Sequence, residues 1–429
     1  MCKSYWTVSP RESTLCCMER DADKVIVIGA GMGGLAAATG LASAGLDVAV
    51  IEAAGGPGGK MRTVASAAGP VDAGPTVLTM RWVFDRLFEA AGARLEDHVR
   101  LIPQSVLARH WWLDGSTLDL HAAPDDSAAA VRGFGGTGAE ADFRRFSAEA
   151  ARLHRAFERP VMRSHRPDTF AVAAAVLRDP GLIPALLPAA TLAGRLAGTF
   201  RDARLAQLFG RYATYVGGSP YHSPAVLGLI WETEAQGVWA VEGGMHGLAR
   251  AITALAGAKG ARLRYGTRVE RIVTDGGRVM GVALVDGEVL RAGHVIFNGD
   301  PAALAAGLLG PDVTRAVPAA AVTPRSHSAW VWSFAARARG LPLAMHNVIF
   351  TADPRAEFGA IAAGRMPDAA TLYVCAQDRA GGYVPDGPER FEIILNAPPT
   401  GRADARPSEE EYDRCRTLTF DTLARAGLS

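Results

Sequence analysis

Residues 25–52 read VIVIGAGMGGLAAATGLASAGLDVAVIE, and this stretch constrains the fold more than any other. The β-branched run Val25–Ile28 has the pattern of a strand buried on both faces. Gly29-x-Gly31-x-x-Gly34 follows at once, then an Ala/Leu-rich segment at helical spacing, Gly45, and a second apolar strand, Val48–Ile51. That strand ends on Glu52, 18 residues beyond Gly34. Strand, glycine turn, helix, strand and an acid at ribose distance make a dinucleotide-binding βαβ unit. The glycines serve a tight turn, close approach to a pyrophosphate and close helix-to-sheet packing, and the helix N-terminus offers N–H groups to the phosphates. A βαβ unit without a ligand is the bland alternative, since 48 of 429 residues are glycine. The joint presence of strand, helix and acid tells against it. A membrane span fails too: Val25–Leu46 is uncharged for 22 residues but carries six glycines.

A chain of this length exceeds what one hydrophobic core serves, so two or three domains are expected. With 45 basic and 44 acidic side chains, and no basic block or acidic tail, nothing marks a nucleic-acid partner. Cys2, Cys16, Cys17, Cys375 and Cys415 form no CxxC pair and no metal-ligand spacing, which suits a reducing, cytoplasmic setting. Residues 1–17 have no apolar run long enough for a signal peptide and read as a disordered extension, with Met18 a more natural start. The ten histidines form no HxxH or HxxxH pair, so no metal is assigned. There is no Gly-x-Ser-x-Gly elbow either. If the chain is an enzyme, a cofactor carries the chemistry.

After Glu52 comes a glycine loop, Ala53–Arg62, able to bring backbone N–H groups and the charges of Lys60 and Arg62 against an anion. Val71–Thr76 is a Gly-Pro turn. Residues 106–120 read as a hairpin turning at Asp114-Gly115, with Trp111 and Trp112 as core or pocket lining. Glu140–Phe157 has the spacing of an amphipathic helix. Pro180–Gly194 is uncharged for 15 residues, short of the ~20 that span a bilayer. It reads equally as a buried helical pair or a monotopic membrane contact. Helices are expected over 225–231 and 246–255. Residues 262–297 read as an antiparallel meander with turns at Gly276-Gly277 and Asp286-Gly287, ending in Val295–Phe297 before Asn298-Gly-Asp300-Pro301. Leu372–Ala376 and Glu392–Leu395 read as strands. A helix from Ser408 to about Ala426, acidic in its first turn, closes the chain.

Taken in order, Gly29-x-Gly31-x-x-Gly34, Glu52, Gly58-Gly59-Lys60, Asp72-Ala-Gly-Pro-Thr76, Tyr215-Val-Gly-Gly-Ser-Pro220, Trp239 with Gly243-Gly244-Met245, and Asn298-x-Asp300-Pro301 resemble the bacterial phytoene-desaturase-type carotenoid desaturases. These are flavoproteins of the amine-oxidase-like superfamily. The wording of 212–250 is most similar to members acting on hydroxy- and methoxy-neurosporene. The resemblance implies an α/β fold: a Rossmann-like FAD-binding domain (24–66 and 241–302), a mixed-sheet substrate domain (67–130 and 303–429) and a helical, membrane-associating insertion (131–240), after the extension 1–23. It implies FAD-dependent 3,4-desaturation of an acyclic carotenoid at a membrane surface. The turn from Gly29 through Ala30, Gly31 and Gly33 to Gly34 would hold the FAD pyrophosphate, and Glu52 the ribose. Gly59, Lys60 and Arg62 would lie along the flavin side, and Val269 would offer its backbone to the adenine. Asp72–Thr76 and Gly243-Gly244 would flank the isoalloxazine. No base is assigned; Asp72 and His222 are the candidates.

Two departures stand out. Val241 replaces the usual proline, and the Gly/Pro-rich segment with which members complete the flavin site does not precede Ser429. The acidic first turn at 409–411 would repel a phosphate, so the expectation is weak FAD binding and aggregation. A flavin amine oxidase is the alternative enzyme, disfavoured by only four lysines. A prenyl-binding protein of the GDP-dissociation-inhibitor kind is the non-enzyme alternative, and the intact glycines and Glu52 argue against it.

Overall fold

The computed structural model describes residues 23–400 and 407–429, so the expected disorder of residues 1–17 lies outside the described residues. Two compact units emerge. The chain up to Thr63 with Arg81–Arg100 and Val241–Pro324 makes the first; Val64–Met80, Leu101–Ala240 and Arg325–Ser429 make the second.

The first unit is built on β1 (Lys24–Ile28), α1 (Met32–Ser43) and β2 (Asp47–Ile51). β1 and β2 are central in a four-stranded parallel sheet, flanked by His294–Phe297 beside β1 and Arg262–Arg264 beside β2. This corrects the meander expected over 262–297. Only Val269–Asp275, Arg278–Leu284 and Val289–Arg291 form an antiparallel sheet. Val295-Ile296-Phe297 is a continuous apolar run, the pattern of a parallel strand, and it pairs with β1 through Ile26 and Val295. Ile26, Ile28 and Ile51 pack against Val269, Val282 and Leu284, which bury one face of each sheet on the other.

The second unit centres on a six-stranded sheet ordered Ser328–Ala336, Glu389–Ala397, Leu372–Ala376, His346–Phe350, Val106–Trp112, Thr117–His121. All neighbours are antiparallel except His346–Phe350, which runs parallel to Val106–Trp112. Alternate side chains serve opposite faces. Trp111, Ile349 and Val374 pack under the closing helix, Glu409–Arg425, through Cys415 and Leu423. Trp112, Val348 and Phe350 meet a helical layer through Phe143, Phe209 and Trp231. The helix expected from Glu140 begins earlier, at Pro124, and is broken at Gly136, whose φ of 79° no helix accommodates. Four glycines at 133, 135, 136 and 138 hid its first half.

Glu357, on the helix Pro354–Ala362, is buried and accepts a 2.9 Å hydrogen bond from Thr371. Burial pushes its carboxyl up to about 7 from an ordinary 4.5. The folded state therefore keeps a proton that the unfolded chain has lost, and stability falls as pH rises through that window. Glu357→Gln is expected to stabilise the protein by about 3 kcal/mol at pH 8 and by little at pH 4. Thermal melts at the two pH values check this; an equal effect at both would refute it.

Candidate functional site

The glycine turn shows three different reasons for glycine. Gly29 has a φ of 100°, a left-handed value that side chains resist. At Gly34 a Cβ would lie 2.1 Å from the Gly29 carbonyl oxygen, so helix and strand pack too closely for one. Gly31 is different. Its φ of −71° and ψ of 173° suit any residue, and the nearest atom to a Cβ there is the Asn298 Nδ2, at 3.1 Å. Nothing in the backbone of the turn itself demands glycine at that position. What remains is space for a group approaching from outside. Gly31 is also the N-cap of α1, which has no side-chain cap and no acid in its first turn, so its positive end is open to an anion.

The other residues expected at the site in this unit gather round the turn. Glu52 accepts from the Ala30 N–H through Oε2 and from the Ala54 N–H through Oε1, both at 2.7 Å. Its carboxylate therefore already ties β2 to the turn. Gly58 donates to the Ala30 carbonyl at 2.8 Å, and Gly59 stands so close that a Cβ would lie 3.0 Å from the Gly31 Cα. Lys60 and Arg62 are exposed on either side of buried Met61. The segment leading to Val269 is latched to the acid: Gly266 donates to Ala54 O and Thr267 to Glu52 O, at 2.8 and 2.9 Å. Gly243 and Gly244, with φ of 78° and 102°, precede the helix His246–Ala258. His246 Nε2 donates to Pro57 O at 3.1 Å, which joins that turn to the glycine loop.

Asn298 was quoted in the sequence motif but given no place in the site. Its backbone N–H donates to Ile28 O at 2.9 Å, and its side chain lies over Gly31, Gly33 and Gly34. The signal was present: it follows directly on the strand beside β1, at the carboxyl edge where doubly wound sheets bind ligands.

The two candidate bases lie in the second unit. His222 is exposed on a turn. Asp72 is buried, its backbone held to Gln377 by hydrogen bonds of 3.0 and 2.9 Å. Nearby in sequence, Thr76 Oγ1 stands 2.7 Å from the Tyr373 hydroxyl, which stands 2.7 Å from His346 Nδ1. A second group surrounds buried Glu234: buried Tyr212 donates to it at 2.7 Å, the more exposed Tyr215 also donates to it, and Arg211 approaches at 3.5 Å. Burial, aided by the Arg211 charge, pushes His110 down to about 3 and His346 down to about 4, so both are neutral. Thr76 and Tyr215 lie in motifs of the sequence, but their joining with His110, Arg211, Glu234, His346 and Tyr373 is not legible there, because the members are scattered from Thr76 to Tyr373.

The sequence profile described as "Flavin containing amine oxidoreductase" matches residues 32–331. The chain is 58% identical over 412 residues to the hydroxyneurosporene desaturase of Cereibacter sphaeroides, covering 96% of this chain and 82% of that one. It is 52% identical to the hydroxyneurosporene desaturase of Rhodobacter capsulatus, with the same coverage of both. Among solved structures, an oxidoreductase from Methanosarcina mazei superposes with a TM-score of 0.59 at 17% identity, covering 94% of this chain and 84% of that one, a likeness of fold. The open Gly31 and uncapped helix end thus occur in a chain whose profile match and relatives agree, and the chain belongs to the flavin-containing amine oxidoreductase family.

Proposed function

We propose that the chain is an FAD-dependent desaturase that introduces the C-3,4 double bond into an acyclic hydroxy- or methoxy-carotenoid of the neurosporene series. The observation that carries the cofactor is Gly31, glycine at a backbone geometry open to any residue, beside an uncapped helix end. Similarity to hydroxyneurosporene desaturases along nearly the whole chain supports the substrate class.

In this reading the turn Gly29–Gly34 and the N-terminus of α1 hold the pyrophosphate, and Glu52 holds the ribose. Lys60 and Arg62 add charge, the backbone at Val269 meets the adenine, and Gly243-Gly244 lies along the flavin. FAD, when bound, supplies hydride acceptance, so the chain needs no activated nucleophile. The protein's own work is to bind the polyene, orient the bond to be oxidised and exclude water. The test is expression in a host that accumulates hydroxyneurosporene, with pigments identified by mass and the protein-bound flavin identified after denaturation. A product lighter by two hydrogens and bound FAD are expected; unchanged pigment would refute the reading.

Membrane contact is the second part of the proposal. Among the described residues no single helix is long and apolar enough to cross a membrane; one pair, Thr169–Arg178 with Pro180–Leu186, passes by composition but is bent by 108°. On the first of these helices Phe170 and Leu177 are 88% and 82% exposed, two turns apart on one face, and Ile183 and Leu187 are exposed beyond the bend. Leu186 packs inward with Leu153 and Leu182. Such an apolar stripe suits a lipid surface, from which a hydrocarbon substrate can enter without crossing water. Phe170→Asp with Leu177→Asp is expected to weaken liposome binding at least ~10-fold with FAD content unchanged. Equal co-sedimentation of variant and parent would sink this part of the proposal.

A further inference from the structure

Among the described residues of the second unit, the buried nitrogens without a hydrogen-bond partner in the protein include His110 Nε2, His346 Nε2 and Arg211 Nε. They belong to one neighbourhood: His110 pairs in register with Val348, two residues from His346 on the same face of the sheet, and Tyr212, next to Arg211, packs in the cluster that holds Val348. His110 and His346 are 0% and 1% exposed, so solvent does not satisfy them. Each is held in place by its other nitrogen. His110 Nδ1 donates to the Leu118 carbonyl at 3.0 Å, which leaves its Nε2 as a lone-pair acceptor. His346 Nδ1 is engaged by Tyr373, itself engaged by Thr76. The Arg211 Nε–H is a donor, its guanidinium lying 4.9 Å from the Tyr212 ring centroid and facing Glu234. Native interiors rarely leave one such group unpaired, and here three are oriented by their neighbours.

The surroundings are apolar. Phe350 stacks on His110 at 5.9 Å, and Trp112, Val348 and Phe209 lie in the same cluster as Tyr212. A site of this kind fits a ligand that is hydrocarbon over most of its length and carries a single oxygen able both to accept and to donate. We propose that His110, Arg211 and His346 recognise the hydroxyl of the carotenoid substrate and set a preference for hydroxylated over hydrocarbon polyenes. Arg211 donates to the hydroxyl oxygen and His110 accepts a hydrogen bond from the hydroxyl O–H, while His346, oriented by Tyr373 and Thr76, completes the set. A hydroxyl taken out of water is then fully paired, and a polyene lacking it leaves the three nitrogens as they are. This rests on the desaturase reading above and adds its specificity determinant.

The experiment compares kcat/KM for hydroxyneurosporene and for neurosporene, the same polyene without the hydroxyl, using the FAD-loaded full chain in liposomes. The parent is expected to prefer the hydroxylated substrate by about 10- to 100-fold. His346→Phe and His110→Phe are expected to bring that ratio close to one, by loss on the hydroxylated substrate alone. His346→Gln, which restores a hydrogen-bonding group, is expected to recover part of it. Turnover of both substrates at equal kcat/KM by the parent overturns the proposal without any variant. So does a preference that survives both Phe variants, the mark of an ordered water only, or an equal loss on the two substrates, the mark of a structural role. Turnover of neither substrate by the parent overturns the desaturase reading itself, and this proposal with it.

Discussion

Gly31→Val is expected to emerge from purification folded and colourless. Its backbone already sits at φ −71°, where valine is at ease, and the nearest obstacle is the end of the Asn298 side chain, which can turn away. The fold therefore has little reason to object. A pyrophosphate does, because valine methyls fill the space through which it reaches the N–H groups at the start of α1. Losing two charge-assisted hydrogen bonds of about 1.5–3 kcal/mol each weakens FAD by on the order of 1000-fold. Absorbance of the purified protein and a thermal melt read the two halves of the statement separately. Gly34→Ala is the control with the opposite signature: a Cβ 2.1 Å from a backbone oxygen forces α1 off β1, so folding itself should suffer. Stoichiometric flavin in Gly31→Val would remove the central support for the cofactor assignment.

Glu389→Ala is expected to cost about 3–5 kcal/mol of stability. Glu389 and Arg379 have side chains only 3% and 6% exposed, and they pair through two parallel bonds of 2.6 and 2.8 Å. The guanidinium also donates to the Leu343 carbonyl at 3.0 Å. Removing the carboxylate strands a cation that cannot shed its proton, and this cost exceeds the original attraction. A drop in melting temperature of roughly 10 °C follows for a unit of this size. The double change Arg379→Met with Glu389→Leu should regain most of the loss, since two apolar side chains of similar volume need no partner. If the double variant is no more stable than the single one, packing rather than stranded charge is responsible.

Much of this architecture was legible because local chemistry and tertiary contacts agree. The βαβ unit declared itself by two apolar runs around a glycine turn, and Asp114-Gly115 marked the hairpin that joins Val106–Trp112 to Thr117–His121. Ser408 caps the closing helix in a reciprocal box with Glu411, at 3.2 and 2.8 Å, as Ser-x-x-Glu before a helical run announces. That helix packs on the sheet of the second unit. The misses share a cause. Val295–Phe297 follows two hairpins in sequence and so reads as a third, yet its partner is β1, far back along the chain. Glu389 and the lone histidines each carry no local signal, since one polar residue in an apolar context looks the same whether it faces a ligand, an ion or nothing. Only the fold brings His110, Arg211 and His346 together.

The parallel pairing of Val106–Trp112 with His346–Phe350 also has a consequence in time. When the ribosome has delivered the hairpin ending at His121, one edge of its first strand carries Arg109 to Trp112 with nothing to pair with. The strand that covers them is made only after the whole helical layer, on the order of tens of seconds later at ordinary elongation rates. Throughout that interval two adjacent tryptophans stand on an open ribbon edge, the kind of template on which nascent chains stick to one another. Arg109, held in a bidentate pair with Asp119 across the hairpin at 2.7 and 2.6 Å, sets a charge at one end of that edge. The yield of soluble protein should therefore depend on how fast the chain is made and on what shields the hairpin meanwhile, and slow synthesis in the cold should help less than a chaperone that holds the ribbon until its partner arrives.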